Sequence, residues 1–159
     1  MNPDLDNFDL KILAALQSDA RLTNHELSER INLSASQCSR RRIRLEQEGY
    51  ITGYRAMIDR DKLGFGLTSV VTVRLSTHNR DNARRFSELV RRLAEVTDAY
   101  ALTGAMDYVM RVVTRDLKAL SAFVNEQLLP HEAVDHVTTA IVLDTLKENG
   151  EVPVRRSDR

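Results

Sequence analysis

The sequence predicts an α+β protein of two domains, and three observations support this prediction. The first fifty residues carry apolar positions at helical spacing, with helix-capping motifs among them. From residue 67 onward, runs of β-branched residues alternate with helical segments. The 159 residues suffice for two small domains. We therefore expect a helical domain at residues 1–60, a sheet-containing domain at 61–148 and a tail at 149–159.

The composition excludes several classes of protein. Lys plus Arg equals Asp plus Glu at 23 each, so the chain is not a uniformly basic nucleic-acid coat and any anion site must be local. A single cysteine, Cys38, excludes a disulfide framework and a cysteine-rich zinc site. No signal-peptide pattern and no apolar run of about 20 residues is present, so we expect a cytoplasmic protein that does not enter the membrane.

The first helix is predicted by a single apolar stripe. Phe8, Ile12 and Leu16 fall at helical spacing after Asp6, which can cap the helix. Asp9 then occupies the third helical position, where an acid suits the positive end of the helix dipole.

Two further motifs predict the starts of two further helices. Residues 23–26 read T-x-x-E and residues 34–37 read S-x-x-Q, and both are capping boxes. Gly49 suits the end of the third helix because glycine tolerates the left-handed conformation. The boxes lie eleven residues apart with a short turn between them. This spacing is typical of a helix-turn-helix, whose second helix lies in the major groove of DNA.

The third helix carries four arginines within five positions and no acid among them: Arg40, Arg41, Arg42 and Arg44. A solvated face usually mixes its signs, so we predict that this helix meets an anion. Arg42 shares the packing face of Cys38 and Leu45, and we expect its stem to pack there while its head reaches solvent or an acid. Ile43 is expected to be partly buried.

We predict DNA contacts by residues at the starts of the second and third helices and by three of the arginines. Serine, glutamine and arginine can serve a base edge or a phosphate, and the pattern does not decide between them. A dimer would present two such helices about one turn of DNA apart. The candidate DNA-binding residues are Thr23, Asn24, Ser34, Ser36, Gln37, Ser39, Arg40, Arg41 and Arg44.

The second half of the chain predicts strand, helix, strand, strand, helix, strand. A strand and linker over Tyr50–Ile58 precede it. The order is that of a ferredoxin-like domain. The fold class is therefore α+β, an N-terminal winged helix-turn-helix followed by a ferredoxin-like βαββαβ domain. The predicted strands are residues 67–75, 98–104, 107–114 and 137–146, and the predicted helices are residues 82–95 and 117–128.

An enzyme is the competing class of function. Residues 131–136 read HEAVDH, but His131 and His136 are five residues apart and cannot share one helix face for a zinc ion. No nucleophile with a base, no glycine-rich phosphate loop and no second cysteine is present in the sequence. We therefore predict no catalytic residues, no metal site and no cofactor.

At this point the chain resembles the Lrp/AsnC family of prokaryotic transcriptional regulators. The resemblance is carried by LDNFDLKILAALQSDAR, by ELSERINLSASQCSRRRIRLEQEGYITGYRA, by LTGAMDYVMRV and by TTAIVL, in that order. It implies a DNA-binding domain joined to a ferredoxin-like domain that binds a small molecule, usually an amino acid. It also implies homodimers that assemble into octamers or other rings, and no catalysis.

The resemblance also places an effector site at the turn LTGAMDY. Gly104 could let a ligand approach the backbone or could be a plain hairpin glycine. Asp107 could take an α-amino group or could be a turn acid. At Ala105 and Met106 the chain departs from the family, where an acid and an aromatic residue are common. The candidate effector-binding residues are Tyr100, Leu102, Gly104, Ala105, Met106, Asp107, Tyr108 and Thr139.

The function we predict from the sequence is a sequence-specific transcriptional regulator of amino-acid or related metabolism, modulated by a small-molecule effector. The alternative is an architectural protein that organises DNA with little sequence preference. The same fold and the same basic helix would serve both functions, and the specificity ratio and salt dependence of DNA binding would separate them.

Overall fold

The computed structural model describes residues 5–77 and 79–154, which form two compact units. Unit 1 contains residues 5–57 and 147–154, and unit 2 is Ile58–Leu146. Residues 155–159 of the predicted tail lie outside the described residues. Within the described ranges, no helix has the length and apolar character needed to cross a membrane.

Unit 1 is built on three helices, α1 (Asn7–Ser18), α2 (Asn24–Ile31) and α3 (Ala35–Gln47). Both predicted capping boxes are confirmed: the Thr23 hydroxyl accepts the N–H of Glu26, and the Ser34 hydroxyl accepts the N–H of Gln37. Asp6 caps α1 as predicted and forms a third box with Asp9. Caps of this kind fix where each helix begins, and thereby the length of the turn between α2 and α3.

The core of unit 1 forms where the three helices meet. Cys38 and Leu45 of α3 are fully buried, as predicted, and pack with Ile12 of α1 and Leu27 of α2. Ile43, which the sequence predicts to be partly buried by α3, does not pack against this core, and half of its surface is exposed. Its position on α3 is about 140° from Cys38 and about 160° from Leu45, so it points away from this core.

The strand predicted over Tyr50–Ile58 is absent, since residues 50–59 form neither helix nor strand. A strand is defined by backbone pairing with another strand, and no strand in the described part of this chain pairs with this segment. Its Ile51 N–H bonds instead to the Leu45 carbonyl near the end of α3. Most of the segment is exposed.

The C-terminal segment returns to the first helix of unit 1. The side-chain amide of Gln17 donates to the carbonyl of Val152 at 3.1 Å and accepts its N–H at 2.8 Å. Leu13, Tyr50 and Val154 also line the groove in which this contact forms, which has a cavity volume of about 490 Å³. This pairing holds residue 152 on α1.

Unit 2 has the predicted order of strands and helices. It contains β1 (Leu67–Leu75), α4 (Arg80–Val90), β2 (Val96–Ala101), β3 (Tyr108–Thr114), α5 (Leu117–Ala122) and β4 (Val134–Ile141). A short 3-10 helix, Asp61–Leu63, precedes β1, and α5 continues as a π-helix over Phe123–Leu128.

The four strands form one antiparallel sheet in the order β2-β3-β1-β4. Val71 in the centre lies opposite Met110 of β3 and Thr139 of β4. Phe86 of α4 and Phe123 after α5 pack on the face that carries Val71 and Met110, and form the core of unit 2. The opposite face, which carries Val70, is not covered by these helices.

Several predicted elements of unit 2 have different bounds in the structure. α4 is Arg80–Val90 and not residues 82–95, β2 begins at Val96 and not at residue 98, and β3 begins at Tyr108 and not at residue 107. β2 ends at Ala101 and not at residue 104, because the Leu102 N–H bonds to the Asp107 carbonyl and closes the turn there. β4 spans Val134–Ile141 and not residues 137–146. Its C-terminal end is set by β1, because Ser69, near the start of β1, pairs with Ile141 and no earlier residue of β1 pairs with β4. Leu143 and Leu146 then lie beyond the sheet and are almost fully exposed.

Candidate functional site

The arginine-rich helix is held by an acid from another helix. Asp9 of α1 is fully buried, and its two carboxylate oxygens contact Arg41 Nη1 at 2.7 Å and Arg44 Nη2 at 2.6 Å. Arg41 Nη1 also lies 2.8 Å from Asp6. A buried carboxylate needs such partners, because an unpaired charge in the interior is very unfavourable. These ion pairs fix α3 against α1.

Electrostatics within this network follow from its contacts. The hydrogen bond from Arg41 to Asp9 raises the pKa of the guanidinium further above its usual value. Partial burial acts to raise the pKa of Asp6, but the N–H of Asp9 and the Arg41 guanidinium together hold it below 3.8. Both groups therefore stay charged at neutral pH.

Arg42 behaves as its position on the packing face predicted. Its Nη1 donates to the Leu22 carbonyl at 3.0 Å, and its Nε donates to the Tyr54 hydroxyl at 2.9 Å. Glu46 accepts a hydrogen bond from the same Tyr54 hydroxyl. Burial, together with that hydrogen bond to Glu46, raises the pKa of Tyr54. Arg42 therefore links α3 to the segment after it.

The side of α3 opposite the core presents one stripe of residues, which we call the outward face: Ser36, Ser39, Arg40, Ile43 and Gln47. They lie at spacings of three and four and, together with Arg41 and Arg44, line an open concave surface with a volume of about 660 Å³. Arg40 has no ion pair or hydrogen bond to its side chain among the described residues, unlike Arg41 and Arg44. The outward face thus offers one unpaired cation, short polar groups and one exposed apolar side chain.

The remaining candidate DNA-binding residues take part in helix caps. Ser34 and Gln37 bind each other across the second box, with the Ser34 Oγ 3.0 Å from the Gln37 Oε1. Gln37 Oε1 also accepts the Ser34 N–H at 3.1 Å. Thr23 bonds to Glu26 in the first box. Asn24 Oδ1 is buried and lacks a hydrogen-bond partner within the described ranges.

The turn predicted as an effector site is tied to β1. Asp107 accepts the N–H of Leu75 on its carboxylate at 2.7 Å, and its own N–H donates to the Val73 carbonyl at 3.0 Å. Gly104 has a φ of 131°, a conformation that side chains rarely adopt. Leu102, Gly104 and Ala105 are exposed at the tip, while Met106 is half-buried.

The candidate effector residues do not form one cleft within one chain. Tyr100 and Tyr108 line a cavity of about 260 Å³ together with Phe86, and the Tyr108 ring lies 4.7 Å from the Phe86 ring. Thr139 lies on β4 at the opposite edge of the sheet from β2. Three strand spacings, or about 14 Å, separate these edges.

The HEAVDH segment is occupied by structural contacts. His131 accepts the N–H of Ala133 on Nδ1, and Glu132 pairs with Arg85. Asp135 pairs with Arg74 at 2.7 Å. Across residues 5–77 and 79–154, no group of three or more His, Cys, Asp or Glu side chains could hold a metal ion.

Comparison with known families identifies both units. Residues 5–52 match the winged helix-turn-helix DNA-binding family, and residues 68–152 match the Lrp/AsnC ligand binding domain. The chain belongs to the Lrp/AsnC family. It is therefore a DNA-binding transcriptional regulator with an effector-binding domain, and not an enzyme.

Several relatives in the Lrp/AsnC family match over nearly their whole length. The proline dehydrogenase transcriptional activator of Rhizobium radiobacter is 37% identical over 147 residues, which are 92% of this chain and 94% of the relative. The leucine-responsive regulatory protein of Rhizobium meliloti (strain 1021) is 35% identical over 95% of this chain and 97% of its own. A Neisseria meningitidis transcriptional regulator solved in complex with L-Met is 37% identical, covers 94% of this chain and 97% of its own, and superposes with a TM-score of 0.90.

Two residues of the site have positions that the sequence analysis does not predict. The sequence assigns Asp9 only to the helix dipole, although Asp9 shares the apolar stripe of Ile12 and Leu16, where an acid needs a buried partner. Ile43 was expected to be partly buried, although it stands five positions from Cys38. In both cases the helical position relative to known core residues carried the signal.

Proposed function

We propose that α3 reads a specific sequence in the major groove of double-stranded DNA through its outward face. The observation that carries this proposal is the position of that face opposite the core, with Arg40 unpaired among the described residues. An α-helix fits the major groove, and a guanidinium there can take a guanine edge or a phosphate. Since a DNA-binding regulator works where chromosomal DNA lies, we place the protein in the cytoplasm.

Arg41 and Arg44 remain part of the proposed interface, with a second task. Each guanidinium carries five N–H donors, and the bonds to Asp9 use only some of them. The donors left over can reach a phosphate while Asp9 holds the side chain in a fixed rotamer. We infer that these two arginines orient α3 first and contact the DNA backbone second.

The capping box limits how Gln37 could read a base. Its Oε1 already accepts the Ser34 N–H and lies 3.0 Å from the Ser34 Oγ, so its Nε2 is the group left for DNA. A donor alone selects base edges that present acceptors, such as guanine N7 and O6. The bidentate pairing of glutamine with adenine would require the box to open. Thr23, Asn24 and Ser34 lie at the helix starts, where small polar groups meet phosphates.

The test begins with selection of a binding site from random duplexes by the purified protein. Arg40→Ala should then weaken binding to the selected site about 5- to 150-fold, since a bidentate contact of Arg to guanine contributes about 1–3 kcal/mol. Arg92→Ala removes the same charge from exposed surface in unit 2 and serves as the matched control. If both variants bind equally well, α3 does not read DNA in the proposed way. A selected-to-random affinity ratio below about tenfold would favour the architectural function.

We propose that the effector is an amino acid or a related metabolite, bound between unit 2 domains of different copies. Two considerations support this. The Neisseria meningitidis relative was solved with L-Met, and the candidate residues on β2 and β4 lie at opposite edges of one sheet, so several copies could assemble them.

A thermal-shift screen against the twenty amino acids tests the effector. A ligand that binds only the folded protein stabilises it by mass action and so raises the temperature of the unfolding midpoint. At a ligand concentration one hundred times the dissociation constant, the stabilisation is about 2.7 kcal/mol. We expect a selective shift that Tyr100→Ala reduces. No shift with any compound would contradict an amino-acid effector. Asp107 is a poorer test residue, since its loss also removes the bond to Leu75.

We propose that the protein is a homodimer, assembling further into an octamer or another ring of dimers. The support is the sheet face that α4 and α5 leave uncovered, on which Val70 is 37% exposed. An antiparallel sheet of this size usually buries at least one face fully and can pack its other face against a second sheet. A pseudo-palindromic DNA site also requires two DNA-binding units, one for each half-site.

A further inference from the structure

We propose that Ile43 is a specificity-determining residue that reads the C5-methyl group of thymine. The inference rests on the proposed function of α3 as the helix in the major groove. Nothing in the comparisons assigns a role to this residue.

The first step is the place of Ile43 on the helix. Its Cβ direction is about 140° from Cys38 and about 160° from Leu45, the two side chains of α3 that are fully buried. It therefore lies, with Ser36, Arg40 and Gln47, on the side of α3 that faces away from the core of unit 1. Residues on this side of a helix can enter a groove, where base edges are within reach.

The second step is the chemistry of its surroundings. Half of the Ile43 surface is exposed, whereas the other large apolar side chain of α3, Leu45, is fully buried. It is flanked along the outward face by Ser39, Arg40 and Gln47, whose side chains carry hydrogen-bonding groups. Exposed single apolar residues are common on proteins. Here, however, the residue lines the same concave surface as Ser39, Arg40 and Gln47, whose groups are suited to DNA.

The third step is elimination among base edges. An isoleucine side chain has no donor or acceptor, so contact with guanine, adenine or cytosine would strip water from polar edge atoms without replacing it. Thymine presents a methyl group in the major groove, and apolar side chains contact it. Ile43 therefore favours thymine at one position of each half-site and disfavours cytosine there.

The arginine network strengthens this assignment. Asp9 holds Arg41 and Arg44 on the flank of α3 that turns toward α1. With those two guanidiniums fixed, the groups left near the centre of the outward face are Arg40, Ile43 and short polar side chains. Sequence preference must then come from a small set of residues, among which Ile43 alone is apolar within the described part of the face.

Deoxyuridine provides the decisive probe, because it differs from thymine only by the missing methyl group. Each thymine of a site selected by the full-length wild-type protein is replaced singly by deoxyuridine, and dissociation constants are measured by fluorescence anisotropy at fixed salt. Three proteins are compared: wild type, Ile43→Ala and Ile43→Val. The variants alter an exposed position, so folding is checked once by circular dichroism.

We expect one thymine per half-site at which deoxyuridine weakens wild-type binding about fourfold, the factor for one buried methyl group. Ile43→Ala should bind the thymine and deoxyuridine sites equally at that position. Ile43→Val, which keeps a branched side chain, should retain most of the discrimination. When Ile43→Ala is tested on the deoxyuridine site, the fold-loss of affinity should be clearly smaller than the product of the fold-losses that the two changes cause separately.

The outcomes separate this inference from the proposed function. If Arg40→Ala abolishes binding but no deoxyuridine position distinguishes wild type from Ile43→Ala, α3 reads DNA and the role of Ile43 is overturned. If Arg40→Ala and Ile43→Ala both bind the selected site as wild type does, the reading by α3 itself fails, and the inference with it.

Discussion

Changing Asp9 to asparagine tests whether the buried acid holds α3 in place. The substitution keeps the shape of the side chain and removes its charge. The new amide can accept a hydrogen bond from one guanidinium, but it turns an N–H₂ group toward the other, which has only donors to offer. Either Arg41 or Arg44 would then face a donor in place of an oxygen of the fully buried Asp9 carboxylate.

The expected cost is about 3 kcal/mol of unfolding free energy. Removing one partner of a buried ion pair costs about 3–5 kcal/mol when the remaining charge stays buried. The Arg41 and Arg44 side chains are 22% and 40% exposed, so both guanidiniums can regain some water, which puts the cost at the lower end. For a domain of 60–100 residues this corresponds to a midpoint about 12–24 °C lower.

Cys38 supplies an assay specific to unit 1. It is the only cysteine in the sequence and is fully buried in the core of that unit. Burial raises the pKa of its thiol, so the folded protein should react slowly with a thiol reagent, and unfolding exposes the group. The unfolding free energy of unit 1 then follows from the extent of Cys38 labelling in a urea series, independently of unit 2.

The matched control is Asp19→Asn in the same unit. Asp19 pairs with Arg21 at 3.3 Å, and the Arg21 side chain is 92% exposed, so the change should leave the unfolding free energy of unit 1 nearly unchanged. If Asp9→Asn costs no more than this control, Asp9 does not stabilise α3 and the arginines are not committed to it. All four arginines of α3 would then be candidates for direct contact with DNA.

Three further predictions concern other contacts. Because the pKa of Asp6 is held below 3.8 in the folded protein, its stabilising contribution is present above that pH and is lost as the pH falls through the lowered value. The urea concentration at the unfolding midpoint of unit 1 should therefore decrease as the pH is lowered below about 4, and it should decrease less in Asp6→Asn. Parallel pH profiles of the two proteins would contradict the contact. Gln17→Ala removes both hydrogen bonds to Val152 and should cost about 1 kcal/mol while the Val152 amide loses protection in hydrogen exchange; unchanged protection would show that the segment is held otherwise. Val70→Glu places a charge on the uncovered sheet face beside Arg111 and should shift sedimentation toward a monomer with unit 2 still folded, and a persisting dimer would exclude this face as the interface.

The local elements of both units could be predicted because local rules determine them. The boxes at Thr23 and Ser34 set the helix starts within their own four residues, and the β-branched run of β1 gave its bounds without error. The order of strands in unit 2 followed from the same periodicity. Such features depend on neighbours in the sequence, and so they can be read from it.

The features that escaped prediction depend on partners distant in the chain. The end of β4 is set by where β1 stops pairing, more than sixty positions away in the sequence. The internal partners of Arg41 and Arg44 come from Asp9, more than thirty positions away. The π-helical turn at Phe123–Leu128 leaves no composition signal that differs from an α-helix. Site geometry is thus harder to predict than the fold.

The contact of Val152 with α1 has a consequence for the order of synthesis. α1, α2 and α3 precede unit 2 in the sequence, whereas Val152 follows it. The groove beside Leu13 and Gln17 therefore stays open until all of unit 2 has been translated. A product that terminates within unit 2 would carry the helix that we propose reads DNA, but it would leave this groove uncovered.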